Sequence, residues 1–335
     1  MTSPSRSPDV APAWSSERPE VVDPRTHAWQ GAKRESTRTR VPIPRRRRFP
    51  FYVMLLLLVV MFGLFVNSLI FAPVKTPLII VSATEFSPAV APNAWVREDV
   101  ERLKSLDDKT FTVLDTSPAW HSKRLALEEF ERQWSAATAR HANDGSVILY
   151  VSLPGMVDDH GTPALLLPES SPWDSGSWLM LAELLDRLKP PEGTTLQRIV
   201  LLDCTRFADD WNLGVVQNTF VERVGELVAK RADRNLHVIT SGGPREKSWA
   251  SPELHGSAFG QAVAEALAGE SDKAQKPQKI GNRNGRVSLF ELHRYTAMRV
   301  GNWARENRGV TQTPQLFSGA GSDGADFRLA WSLDR

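Results

Sequence analysis

The stretch Ile199-Val200-Leu201-Leu202-Asp203-Cys204-Thr205-Arg206 decides how the rest of the chain reads. Four consecutive apolar residues, two of them β-branched, run without a break into a carboxylate and the sole cysteine. A short, continuous apolar run suits a strand buried on both faces, as in a parallel sheet. In open α/β sheets, ligands bind outside the carboxyl ends of the strands. Chemistry in this chain is therefore expected first at Asp203 to Arg206.

Outward from that strand the same pattern recurs. Runs at 78–81, 111–114, 147–151 and 236–240 read as further strands, and 164–167 as a short extra one. Between them lie helical patterns. The stripe Trp95, Val96, Val100, Leu103 and Leu106 predicts a helix over 95–106, and Leu125, Leu127, Phe130, Trp134 and Ala137 predict one over 122–141. Helices are also expected at 177–189, stopped by Pro190-Pro191, at 219–231, and at 258–268, closed by Gly269. Ser288 and Glu291 have capping-box spacing and open a helix to about Trp303. The charged segment 270–286 reads as a loop. Strands alternating with helices predict an α/β domain over 76–331 with a mainly parallel sheet.

The amino-terminal part is of a different kind. Residues 1–50 hold 11 Lys/Arg against 5 Asp/Glu, whereas the chain as a whole is nearly neutral at +2. Residues 1–48, rich in Pro, Ser, Thr and Arg, are expected to be disordered. Phe51 to Ala72 then runs 22 residues without a charge. About 20 apolar residues cross a hydrocarbon core of ~30 Å as a helix, so 50–72 is expected to be a single transmembrane span. It is too long, and too far from the amino terminus, for a cleaved signal peptide. Arg45 to Arg48 outweigh Lys75 on the far side, which orients the arm to the cytoplasm and the body outside it. The arginine run is thus read as a topology signal, and no nucleic-acid partner is expected.

Motifs for bound groups do not occur. There is no phosphate loop, no GxGxxG after a strand and no HExxH, and one cysteine allows neither an internal disulfide nor a cysteine-based zinc site. No cofactor and no metal are expected. Asp158-Asp159-His160-Gly161 reads as a turn.

Taken in order, the pieces of the body resemble the caspase-like cysteine peptidases, above all their bacterial and metacaspase-type members. The resemblance rests on Tyr150-Val151-Ser152-Leu153-Pro154-Gly155 after the third strand and on Asp158-Asp159-His160-Gly161 with Leu165-Leu166-Leu167-Pro168. It continues through Asp203-Cys204-Thr205-Arg206, Ser241-Gly242-Gly243, Ser251-Pro252-Glu253-Leu254 and His255-Gly256-Ser257-Ala258-Phe259. The ending, Gly285-Arg286-Val287-Ser288-Leu289-Phe290-Glu291-Leu292 and Gln312-Thr313-Pro314-Gln315, completes it. It implies a three-layer sandwich, preceded here by the membrane helix. It also implies a peptide ligand. The family's general-base histidine position is Pro154 in this chain, and its nucleophilic cysteine position is Thr205. Cys204 stands one residue early, and successive side chains of an extended backbone point to opposite faces.

No catalytic residue is therefore expected at the dyad positions, and the favoured function is binding of a peptide or protein partner. Asp203, which in metacaspase-type relatives helps hold a basic substrate side chain, and Arg206 are the candidate binding residues. Asp203 as a structural cap is the competing reading. Two alternatives stay open: an active cysteine endopeptidase with a rearranged Cys204/His160 dyad, and a structural protein that organises the cell envelope. Tryptophans 173, 178, 211 and 249 are read as packing residues before groove residues.

Overall fold

Thr76–Ser82, TPLIIVS, is buried at every position, as a central strand covered on both faces must be. The computed structural model describes residues 49–70, 75–107, 110–139, 145–190, 193–206, 210, 215, 217–274, 279–321 and 326–331. The chain forms two units, Met1–Val66 and Asn67–Arg335.

Helix α1, Phe49–Ile70, begins in the first unit and carries no charged residue. The side chains of Pro50 to Phe65 are all exposed. Those of Val66 to Ile70, and the arm 1–48, lie outside the described residues. Among the described residues no helix is long and apolar enough to cross a membrane, so the expected span at 50–72 is not shown.

The body alternates strands and helices as its pattern predicts. In chain order these are β1 (Thr76–Ser82), α2 (Val96–Lys104), β2 (Phe111–Asp115), α3 (Lys123–Thr138), β3 (Ser146–Ser152), β4 (Gly155–Val157), β5 (Pro163–Leu165), β6 (Leu179–Met180) and α4 (Leu181–Arg187). There follow β7 (Gln197–Leu202), α5 (Phe220–Ala229), β8 (Leu236–Thr240), β9 (Ala250–Ser251), β10 (Gly256–Ser257), α6 (Ala258–Glu265) and α7 (Ser271–Lys273). The last elements are β11 (Arg286–Ser288), α8 (Leu289–Arg308), β12 (Gln315–Ser318) and β13 (Arg328–Trp331).

Six strands form the main sheet in the order β12-β8-β7-β3-β1-β2. All its pairings are parallel except β12 against β8. Side-chain parity sorts the core into two layers. Ile79, Val81, Val200 and Leu202 face α3, α4 and α5, where Phe130, Trp134, Leu184 and Val224 are buried. Leu78, Ile80, Ile199 and Leu201 face α2, α6 and α8, where Val100, Phe259 and Leu292 are buried. The result is a mixed α/β sandwich of three layers. Its carboxyl edge carries a small antiparallel sheet, β4-β5-β6.

Two helical readings change. The expected helix over 177–189 is confined to α4. Ser175–Ser177 forms a tight turn capped by Asp174, and Leu179–Met180 pairs with β5 before the helix starts. The helix at 258–268 stays regular only to Glu265. The chain then distorts around Gly269, at φ 102°, and α7 follows. The capping box at Ser288 and Glu291 is present, and α8 runs past Trp303 to Arg308, where Gly309 caps it in the left-handed region. The short strands β4, β6 and β9–β13 have no counterpart in the sequence reading.

Phe130 is fully buried between Trp120, edge-on at 6.0 Å, and Trp134, stacked at 6.1 Å. Phe130→Ala is expected to cost about 3–5 kcal/mol, measured by urea unfolding followed by circular dichroism.

Candidate functional site at the carboxyl edge of the sheet

Strand β7 ends where its neighbours β3 and β8 end, so the residues after all three strands converge. The amide of Gly155, after β3, donates to the carbonyl of Cys204 at 2.8 Å, and the amide of Ser241, after β8, donates to that of Leu202 at 2.9 Å. Backbone bonds thus lock the Pro154 loop against the Asp203 to Arg206 loop. Pro154 itself is buried, and its carbonyl accepts from the amide of Leu166 at 2.9 Å.

Asp203 is 3% exposed. Its carboxylate accepts from three hydroxyls: Ser248 at 2.7 Å, Ser257 at 2.6 Å and Tyr150 at 3.2 Å. A buried carboxylate is tolerable only when its lone pairs are met in this way. Ser257 reaches further. Its amide donates to Asp99 at 2.8 Å, and its hydroxyl accepts from the amide of Gly260, capping α6. A second buried carboxyl therefore sits across one serine from the first. Arg102 donates to Asp99 at 2.7 Å. Burial, assisted by the nearby charge of Asp203, pushes Asp99 up to about 7. Gly256 and Gly260 leave the room this needs, since a Cβ at Gly256 would stand 2.3 Å from the Asp99 carboxylate. The sequence reading quoted Tyr150 and Ser257 only inside longer motifs, with no role for either, and did not single out Asp99 or Ser248. The only local signal was a serine at a helix start, Ser257, followed three residues later by a glycine.

The candidate nucleophiles are placed differently. Cys204 continues the parity of Val200 and Leu202 into the layer under α3 and α5 and is wholly buried. Its Sγ lies 3.7 Å from the carbonyl of Val151. Burial, with Asp203 adding to it, drives the thiol well above the ordinary cysteine range. The Thr205 hydroxyl pairs with that of Ser241 at 2.9 Å. His160 is exposed in the turn between β4 and β5, where Asp158 accepts from the amides of His160 at 2.9 Å and Thr162 at 2.7 Å. No hydrogen bond joins His160 to Cys204 among the described residues.

Arg206 turns back over the edge. Its guanidinium donates to the carbonyls of Pro92 at 2.6 Å and Ala91 at 3.4 Å and lies 5.9 Å from the centre of the Phe86 ring. Burial lowers its pKa, while Asp203 opposes the shift. Among the tryptophans, Trp178 is buried and donates to the carbonyl of Ser171, Trp173 is 67% exposed, and Trp249 lies between Lys247 and Arg308. Trp211 lies outside the described residues. A cavity of about 710 Å³ opens beyond β1 and β2, lined by Phe86, Val100, Lys104, Asp115 and Trp120. Among the described residues no three of His, Cys, Asp and Glu converge as a ligand set for a metal ion.

No family model matches the sequence, and no curated protein matches it. In structure the chain is similar to pro-sf-caspase-1, at TM-score 0.45 and 14% identity over 73% of this chain and 90% of that one. It is similar also to the Drosophila initiator caspase Dronc, at 0.47 and 10% over 73% and 79%. A protein from Geobacter sulfurreducens overlays at 0.46 and 12% over 74% and 95%. Overlays this loose transfer no residue role to this chain.

The Asp99 carboxyl holds its proton more tightly folded than unfolded. Its contribution to stability is complete below the unfolded pKa of about 3.9 and is lost as the pH rises through about 7. Urea midpoints are therefore expected to fall from pH 4 to pH 8, and Asp99→Asn should flatten that part of the profile. Ser257→Ala removes a buried donor and a helix cap together and should cost about 1–3 kcal/mol.

Proposed function

We propose that this protein is a single-span membrane protein whose body is a caspase-like α/β domain without peptidase chemistry, used to bind a peptide or protein partner. The observation that carries the reading is the state of the thiol. Cys204 is wholly buried, with its pKa driven upward, and the exposed His160 has its amide held in a separate turn. A cysteine nucleophile needs a thiolate and a base within reach, so a buried thiol with a raised pKa, not hydrogen-bonded to His160 among the described residues, supports the non-catalytic reading. The caspase-like part of the reading is supported by the order of motifs along the sequence and by a parallel sheet whose third and fourth main strands, β3 and β7, end side by side.

The membrane part is supported by the uncharged helix α1 and the arginines before it. The sequence from Phe51 to Ala72 offers 22 uncharged residues, about the number a hydrocarbon core requires. The positive-inside rule places the arm in the cytoplasm and the body outside.

Two experiments test the reading. The detergent-solubilised full chain, incubated with a peptide bearing a thiol-directed warhead, should gain no label at Cys204. Labelling that Cys204→Ala abolishes would restore the endopeptidase alternative. For the anchor, the chain should stay with the membrane pellet after extraction at alkaline pH, and deletion of residues 51–70 should release it. A full-length chain that extracts like the deletion variant would contradict the span.

A further inference from the structure

The segment after β1 does more than connect it to α2. It turns at Ser87–Val90, with the amide of Val90 donating to the carbonyl of Ser87 at 2.8 Å, and then crosses the carboxyl ends of β3 and β7. Three separate grips hold it there. Val90, 4% exposed, packs into an apolar cluster with Met156 and Ala164 on the small sheet and Leu166 and Trp178 beside it. The carbonyls of Ala91 and Pro92 accept from Arg206. Asn93 is buried and donates to the hydroxyl of Ser152, the last residue of β3, at 3.0 Å. An aliphatic anchor, two carbonyls on a guanidinium and a side-chain amide bond together form a peptide-recognition footprint. It lies at the strand ends where α/β sheets take their ligands.

One atom of the grip is left over. The Nη1 of Arg206 is buried and has no hydrogen-bond partner among the described residues. A buried guanidinium nitrogen without an acceptor carries a desolvation cost that no bond repays. The segment thus fits the cluster at Val90 but leaves Arg206 incompletely satisfied. A peptide that offers Arg206 one more acceptor has an energetic advantage there.

We propose that Ser87–Asn93 is a strap occupying the protein's own peptide groove. The partner it excludes is a peptide of like chemistry: a small aliphatic residue, then a proline-containing stretch whose carbonyls face Arg206. The proposal rests on the peptide-binding reading and names the ligand class of that site. Val90 would be replaced in the cluster by the partner's aliphatic residue, and Arg206 would exchange one pair of carbonyls for another. No bond is made or broken.

The test uses the detergent-solubilised full chain and a fluorescein-labelled synthetic peptide copying residues 84–94. Val90→Asp places a charge in the apolar cluster and should free the strap. Hydrogen exchange over 84–94 should then rise at least tenfold while β1 and β3 stay protected. The labelled peptide should bind this variant at least tenfold more tightly than the wild type, by fluorescence anisotropy. Adding Arg206→Ala, or using a peptide whose valine is aspartate, should reverse the gain. Should Val90→Asp lose its cooperative thermal transition, the Val90→Ala/Asn93→Ala double variant carries the same comparison.

Equal binding by wild type and released variant overturns the proposal. So does binding by neither, or equal binding of the aspartate peptide. Cleavage of the bound peptide, followed by mass spectrometry, would support the groove while contradicting the non-catalytic reading, so the two failures are distinguishable.

Discussion

The carboxylate of Asp203, closed in by the hydroxyls of Tyr150, Ser248 and Ser257, is the interaction on which the carboxyl edge depends. Each donor comes from a different element. Tyr150 lies on β3, Ser248 in the loop after β8, and Ser257 at the start of α6. A buried charge loses its hydration and recovers the cost only through such bonds. The four groups therefore hold together, or the edge loses its geometry. Through Ser257 the same cluster reaches Asp99 and α2, so α2 and α6, two of the three helices over this face, are tied to one end of β7.

This cluster also bears on function. Asp203 was a candidate to hold a basic ligand, with a structural cap as the competing reading. Its oxygens already accept from internal donors at ordinary hydrogen-bond distances. Parity along β7 sends Asp203 toward one layer and Cys204 toward the other, where the thiol lies among the buried residues under α3 and α5. Arg206 is half-buried at this edge, and its partners are backbone carbonyls of the chain itself.

The main sheet was legible because its central strands are uninterrupted apolar runs of four or five residues, which only burial on both faces explains. The long helices showed through their 3.6-residue stripes and, in α8, through a capping box. The small antiparallel sheet was not legible. Pairs as short as Leu179–Met180 carry no period, and the apolar residues around 177–189 satisfy a helical template equally well until the Asp174 turn ends it. At the site, the segment containing Asp203 and Arg206 was identified, but the partners were not. Asp99 and Ser257 lie 158 positions apart, and nothing local in either stretch reports the other. The role of the segment after β1 was hidden for the same reason, since its grips come from residues 59 to 115 positions away.

Equilibrium urea unfolding of Asp203→Ala tests most directly whether this one carboxylate organises the edge. Removing it leaves three buried hydroxyls without their acceptor. A loss of about 3 kcal/mol or more relative to the wild-type chain is the expected result. A variant within about 0.5 kcal/mol of wild type, the usual range for surface substitutions, would mean that Asp203 is not a structural keystone and is free to meet a ligand.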